Sequence, residues 1–101
     1  MNIYLVMKRV QEKDSRSNKW YDKGTYPVSA HYDFESATDV LLKEYQFVRK
    51  KKNVLDVDYK DGCEGTALSY DFTDIQYGIK YNIEKWITFV EVKEKEIEKH
   101  E

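Results

Sequence analysis

Asp33-Phe34-Glu35-Ser36-Ala37-Thr38-Asp39-Val40-Leu41-Leu42-Lys43-Glu44-Tyr45-Gln46-Phe47-Val48, running on into Arg49-Lys50-Lys51-Lys52-Asn53, is the stretch on which the fold turns. Phe34, Ala37, Leu41, Tyr45 and Val48 recur at spacings of 3, 4, 4 and 3, which lays them on one helical stripe. Val40 and Leu42 widen the stripe, and Glu35, Asp39, Lys43 and Glu44 fill polar positions. Asp33 is a good N-cap, because its carboxylate can accept the unpaired amides of the first turn. The basic run Arg49–Lys52 falls where positive charge complements a helix C-terminus, and Asn53 is a plausible stop. These signals predict one major helix near residues 34–50.

Outside this stretch the periods are those of strands. Asn2 to Val10 places Ile3, Leu5 and Met7 on one side and Tyr4, Val6 and Val10 on the other, as expected of a central strand. Gln11 to Lys19 has no apolar residue and reads as an exposed loop, interrupted by Trp20 and Tyr21, with Asp22-Lys23-Gly24 as a turn. Thr25 to Tyr32 reads as a second strand. Pro27 lacks a ladder donor, which puts that strand at an edge or at a bulge.

After the helix, Leu55, Val57 and Tyr59 alternate with Asp56, Asp58 and Lys60, and Asp61-Gly62 opens a turn. Thr66 to Phe72 is a further short strand. Ile75, Tyr77, Ile79, Tyr81 and Ile83 alternate strictly with polar residues and glycine and predict a strand over 75–83. A turn within 82–85 then leads to a last strand through Val92. The order is β-β-α-β-β-β: an α+β single domain over 1–92, its helix on one face of a largely antiparallel sheet. Residues 93–101 form a charged tail, frayed or briefly helical.

At 101 residues the chain buries about 65% of its extended surface on folding, enough for one modest core. With 36% charged and 15% aromatic residues it is neither a disordered tail nor a membrane protein. No apolar run is long enough to span a bilayer, and Met1 leads into no signal-peptide pattern. One cysteine, Cys63, excludes an internal disulfide and fits a reducing cytoplasm. The net charge of −2 hides an asymmetry, since the N-terminal half is basic and residues 54–78 carry Lys60 against Asp56, Asp58, Asp61, Glu64, Asp71 and Asp74. Such a division can guide association with a charged partner.

Catalytic and metal chemistry find little support. Asp56-x-Asp58-x-x-Asp61-Gly62 fails the calcium-loop pattern, with Lys60, Asp61 and Ala67 where a ligand, glycine and glutamate belong. Cys63 sits between Asp61 and Glu64, which raise a thiol pKa, and His31 and His100 lack zinc-site spacing. No phosphate loop is present, so neither an enzyme nor a cofactor is expected.

Binding chemistry has three candidates. Arg49, Lys50, Lys51 and Lys52, with Tyr45 and Phe47, could hold phosphate and stack on bases, or dock an acidic protein. Asp56 and Asp58 are a solvated strand face or an acidic partner contact. Nine tyrosines exceed ordinary usage, and tyrosine suits both sheets and interfaces. The nearly charge-free 75–83 run lacks edge protection, so it is central or pairs with a copy of itself. A homodimer with Tyr77 and Tyr81 near the contact is expected.

The opening Ile3-Tyr4-Leu5-Val6, the helix entry Tyr32-Asp33-Phe34-Glu35-Ser36-Ala37 and the late Trp86-Ile87-x-Phe89-Val90 resemble small accessory proteins of Gram-positive phages and mobile elements. Anti-CRISPR inhibitors belong to that population. The wealth of Lys, Ile, Tyr and Asn over Gly, Ala, Arg and Pro agrees with an AT-rich genome. The resemblance implies a fold and a genomic neighbourhood and transfers no functional residues. The function expected is that of a non-enzymatic protein that binds a host protein, a CRISPR effector among the options, in the host cytoplasm. The alternative is nucleic-acid or nucleotide binding through the basic helix end and exposed tyrosines.

Overall fold

The computed structural model describes residues 1–62 and 65–93. Five strands and one helix follow in the order β1 (Asn2–Lys13), β2 (Trp20–His31), α1 (Phe34–Val48), β3 (Val54–Gly62), β4 (Gly65–Asp74) and β5 (Ile79–Glu91). The strands form one antiparallel sheet in the order β2-β1-β5-β4-β3. The fold is therefore α+β, as expected. Cys63 and most of the 93–101 tail lie outside the described residues.

The helix begins as its cap predicts. The carboxylate of Asp33 accepts the Ser36 amide at 2.7 Å and the Ser36 hydroxyl at 3.0 Å, which holds the Asp33 pKa below the usual carboxylate value. The last helical residue is Val48, and Arg49 is the C-cap.

Ala37 and Leu41 are completely buried against Val6 of β1, with Tyr4, Val40, Tyr59 and Ile87 packed around them. Leu68, Ile83 and Val48 complete the small set of buried apolar side chains. Alternation fixes the two faces of the sheet. Tyr4, Val6, Leu68, Tyr70, Phe72, Tyr81, Ile83 and Ile87 share the face covered by α1. Ile3, Leu5, Met7, Arg9, Ala67, Asp71, Asn82, Glu84 and Trp86 share the other. All six strand tyrosines stand on the helix side, so the open face shows tryptophan and aliphatic groups.

Both edge strands carry irregularities that blunt them. β2 shows register shifts opposite Val6/Met7, beside Pro27, and opposite Val10/Gln11, at Lys23. Pro27 thus lies on an edge and next to a bulge. β3 shifts between Leu55 and Asp58, where Asp56 takes φ +54°. Bulges and charges of this kind protect an edge from pairing with another chain.

Several sequence expectations need correction. Asp22-Lys23-Gly24 does not reverse the chain. Its Asx contact, Gly24 N–H to Asp22 Oδ1 at 3.0 Å, sits inside β2 as a bulge. The loop expected over Gln11–Lys19 is also shorter, because β1 runs on to Lys13 and the reversal uses residues 14–19, where Asp14 accepts the Arg16 and Asn18 amides, both at 2.9 Å.

The 75–83 strand is really a turn followed by a strand. Asp74 Oδ1 accepts the amides of Gln76 and Tyr77 at 2.9 and 3.2 Å, and its carbonyl accepts that of Gly78 at 2.7 Å. Gly78 at φ +67° closes the turn, so β5 starts at Ile79. No turn occurs within 82–85, because β5 continues unbroken to Glu91. Two-residue alternation ran through the turn by coincidence and masked it.

The run was expected to be central or to pair with a copy of itself, and its strand portion is central. From Lys80 to Trp86, β5 pairs with β1 on one side and with β4 on the other. The expected self-pairing of this run has no free edge there. Tyr77 projects from the turn, 69% exposed, while Tyr81 stacks on Phe72 with ring centroids 5.0 Å apart. The two tyrosines thus have different surroundings, one in the turn and one in the helix-side packing.

Candidate partner-binding site

The described residues offer two arrangements of interest, one interior and one at the surface. The interior one joins the helix to the sheet. Lys85 of β5 points to the helix side, where its ammonium pairs with Glu44 Oε1 of α1. The Tyr70 hydroxyl donates to Glu44 Oε2 at 3.4 Å. Burial, and then the neighbouring Glu44 carboxylate, push the Tyr70 phenol well above its ordinary pKa. A phenol so held is no acid at neutral pH, and the three groups satisfy one another. This cluster fastens the helix to the sheet.

The surface arrangement lies where α1 runs into β3. The Asn53 carbonyl accepts the Thr73 amide at 2.9 Å, and the Asn53 side-chain amide donates to the Thr73 carbonyl at 3.1 Å. This double contact fastens the α1–β3 connection to the end of β4. It brings the basic run beside the β4–β5 turn. Lys52, Asn53, Leu55, Thr73 and Ile75 line a groove of about 280 Å³ between them. Leu55 is 54% exposed and Ile75 81%.

Leu55 faces outward because of the bulge at Asp56. It pairs with Asp71 on the open face of the sheet, whereas regular alternation would have kept Leu55 beside Tyr59. Ile75 faces outward because it sits in a turn whose carboxylate–amide contacts leave its side chain nothing to pack against. Two aliphatic groups are thus held in solvent by backbone devices.

Arg49, Lys50, Lys51 and Lys52 are all exposed. Among the described residues none of the four makes an ion pair. Arg49 and Lys51 instead rest over rings. The Arg49 guanidinium lies 5.6 Å from the Tyr45 centroid, and the Lys51 ammonium 4.3 Å from that of Phe47. Tyr45 also stacks on Tyr59 at 4.8 Å with nearly parallel planes. Its ring therefore belongs to the helix–sheet packing and is no platform for a base.

The expected site residues are thus regrouped. Arg49, Lys50, Lys51, Lys52 and Tyr77 gather at one end of the molecule. Tyr45 and Tyr81 serve the interior. Asp58 lies on the open face, with Lys60 3.9 Å away, and Asp56 is the bulge residue beside Leu55. Sequence reading missed Leu55, Thr73 and Ile75 altogether. The spacing Asp74-x-x-x-Gly78 was the available signal, since aspartate at the start and glycine at the end mark a turn.

Among the described residues no three of His, Cys, Asp and Glu gather as a metal site. Nor is any helix there long and apolar enough to cross a membrane. Comparison with protein-family models, with curated proteins and with solved structures finds no match to this chain.

Proposed function

We propose that this protein is a non-enzymatic binding module that acts by direct contact with another protein, through the end formed by Arg49–Lys52 and the β4–β5 turn. One observation carries the reading. Leu55 and Ile75 are held in solvent in one groove with Lys52, the last of four consecutive cations that lack ion-pair partners among the described residues, and Tyr77 is exposed in the same β4–β5 turn as Ile75. Exposed aliphatic and tyrosine side chains ringed by charge are the composition of an interface. Burying them would recover apolar free energy that folding leaves unused.

The narrower reading is an inhibitor of a host defence or nucleic-acid-processing protein in the bacterial cytoplasm, of the anti-CRISPR kind. It rests on the sequence resemblance. Its support in the fold is the small size and the blunted sheet edges, which suit a soluble protein meeting its target by a face or an end.

Affinity capture from a bacterial lysate tests the general reading, run with and without nuclease and with Ile75→Asp as the comparison. A protein retained by the native chain and lost from the variant supports it. Retention that vanishes with nuclease treatment argues for nucleic acid. Target-DNA cleavage by purified CRISPR effectors, with and without the protein, tests the narrower one.

A further inference from the structure

We infer that the groove at the end of α1 receives an acidic, amphipathic segment of a partner protein. This rests on the protein-contact reading above and adds the chemistry of what is bound. Leu55 and Ile75 give the groove an aliphatic lining that suits one large apolar side chain; the volume of about 280 Å³ admits no folded domain. Lys52 lines the groove directly, Lys51 and Lys50 precede it on the same connection, and Lys80 stands across the strand pair from Thr73. Carboxylates flanking the anchor residue would meet ammonium groups that carry no ion pair among the described residues.

The same surface is poorly suited to nucleic acid. Leu55 and Ile75 present no flat face for a base, Phe47 is capped by Lys51, and Tyr45 is stacked on Tyr59. Asp71 is the register partner of Leu55, and Asp56 follows Leu55 in sequence. A phosphate backbone is charged along its whole length and would have to cross these carboxylates. A peptide can place its acidic groups on the lysine side alone.

The experiment is selection from a displayed library of short random peptides on the full chain. Each recovered peptide is then titrated against the native protein, Ile75→Asp and the double variant Lys51→Glu/Lys52→Glu. All three altered side chains are exposed, and circular dichroism checks that the variants fold. The expected peptides carry acidic residues around one large apolar residue, and either variant weakens them roughly tenfold or more.

Peptides without acidic bias, or peptides that ignore both variants, overturn the proposal and leave protein contact elsewhere on the chain as the function. Failure to recover any peptide also overturns it. Failure accompanied by tight, steeply salt-dependent binding of a single-stranded thymidine oligonucleotide overturns both this proposal and the reading on which it rests.

Discussion

Lys85, in the middle of the central strand β5, reaches across the layer to pair with Glu44 on the helix. Their side chains are 11% and 23% exposed. On the sheet, Lys85 lies between Lys8 of β1 and Leu68 of β4. A lysine at the centre of a helix-covered face would be costly alone. Glu44 makes it tolerable, and Tyr70 satisfies the second carboxylate oxygen.

Removing one member of this pair should therefore hurt more than removing both. Lys85→Met alone leaves Glu44 half-buried and unpaired, at an expected cost of about 2–3 kcal/mol. Adding Glu44→Leu with Tyr70→Phe should restore most of that loss, because apolar groups of similar volume pack in place of the ions and no buried hydroxyl is left without its acceptor. Urea unfolding of the two single variants and the double variant, all carrying Tyr70→Phe, measures the cycle. Additive losses would show that the two side chains act separately.

The helix cap carries a pH signature. Asp33 has its pKa lowered by the Ser36 amide and hydroxyl, so it binds its proton less readily folded than unfolded. Its contribution is present above the unfolded value of 3.8 and fades as pH falls through the lower, folded one. Asp33→Ala should unfold at a lower temperature than the native chain near neutral pH. The two melting curves should converge in strong acid, and a gap of constant size from neutral pH down would contradict the cap.

Gly78 tests the β4–β5 turn. At φ +67° an added Cβ meets nothing within 4 Å, so the cost of a side chain there is conformational and not steric. Gly78→Ala should lose about 1 kcal/mol, and Gly78→Asn less, since asparagine tolerates this region. Equal stability for all three would mean that the turn is not held as described.

Tyr81 distinguishes packing from self-association. Its ring stacks on Phe72 under the helix side of the sheet, so Tyr81→Lys should cost about 2 kcal/mol or more of stability. Equilibrium sedimentation and denaturation on the same samples separate the two effects. A shift from dimer to monomer with stability unchanged would return Tyr81 to an interface.

The fold was legible wherever local signals agreed. Asp33, the Phe34–Val48 stripe and the strongly apolar β1 each met several criteria at once, and each element formed close to its expected bounds. Pro27 was informative for the same reason: its missing donor constrains any sheet. What escaped were the places where one local signal had two uses. An Asx contact makes a bulge at Asp22–Gly24 and a chain reversal at Asp74–Gly78, and only strand pairing decides between them.

The site was less legible than the fold. Leu55 is exposed because one residue, Asp56, adopts a left-handed conformation and breaks the alternation that had hidden Leu55 in the core. The basic run was visible as a run. Its neighbours across the Asn53–Thr73 contact were not, because that contact joins segments 20 residues apart through backbone groups that carry no sequence signature.

The register of the two central strands governs how the chain must assemble. Asn2 pairs with Glu91 and Lys13 with Lys80, and the Val92 amide donates to the Met1 carbonyl at 2.8 Å. β1, made well before β5, thus waits for the segment near residue 91 before its inner edge is occupied. Until then β1 can hold only its hairpin with β2, exposing Val6 and the apolar side chains beside it. Closing so wide a loop carries a large entropic cost ahead of any reward, which places the domain among slow folders for its size. Nascent chains stalled short of Ile79 should accordingly be bound by chaperones and cut readily by proteases.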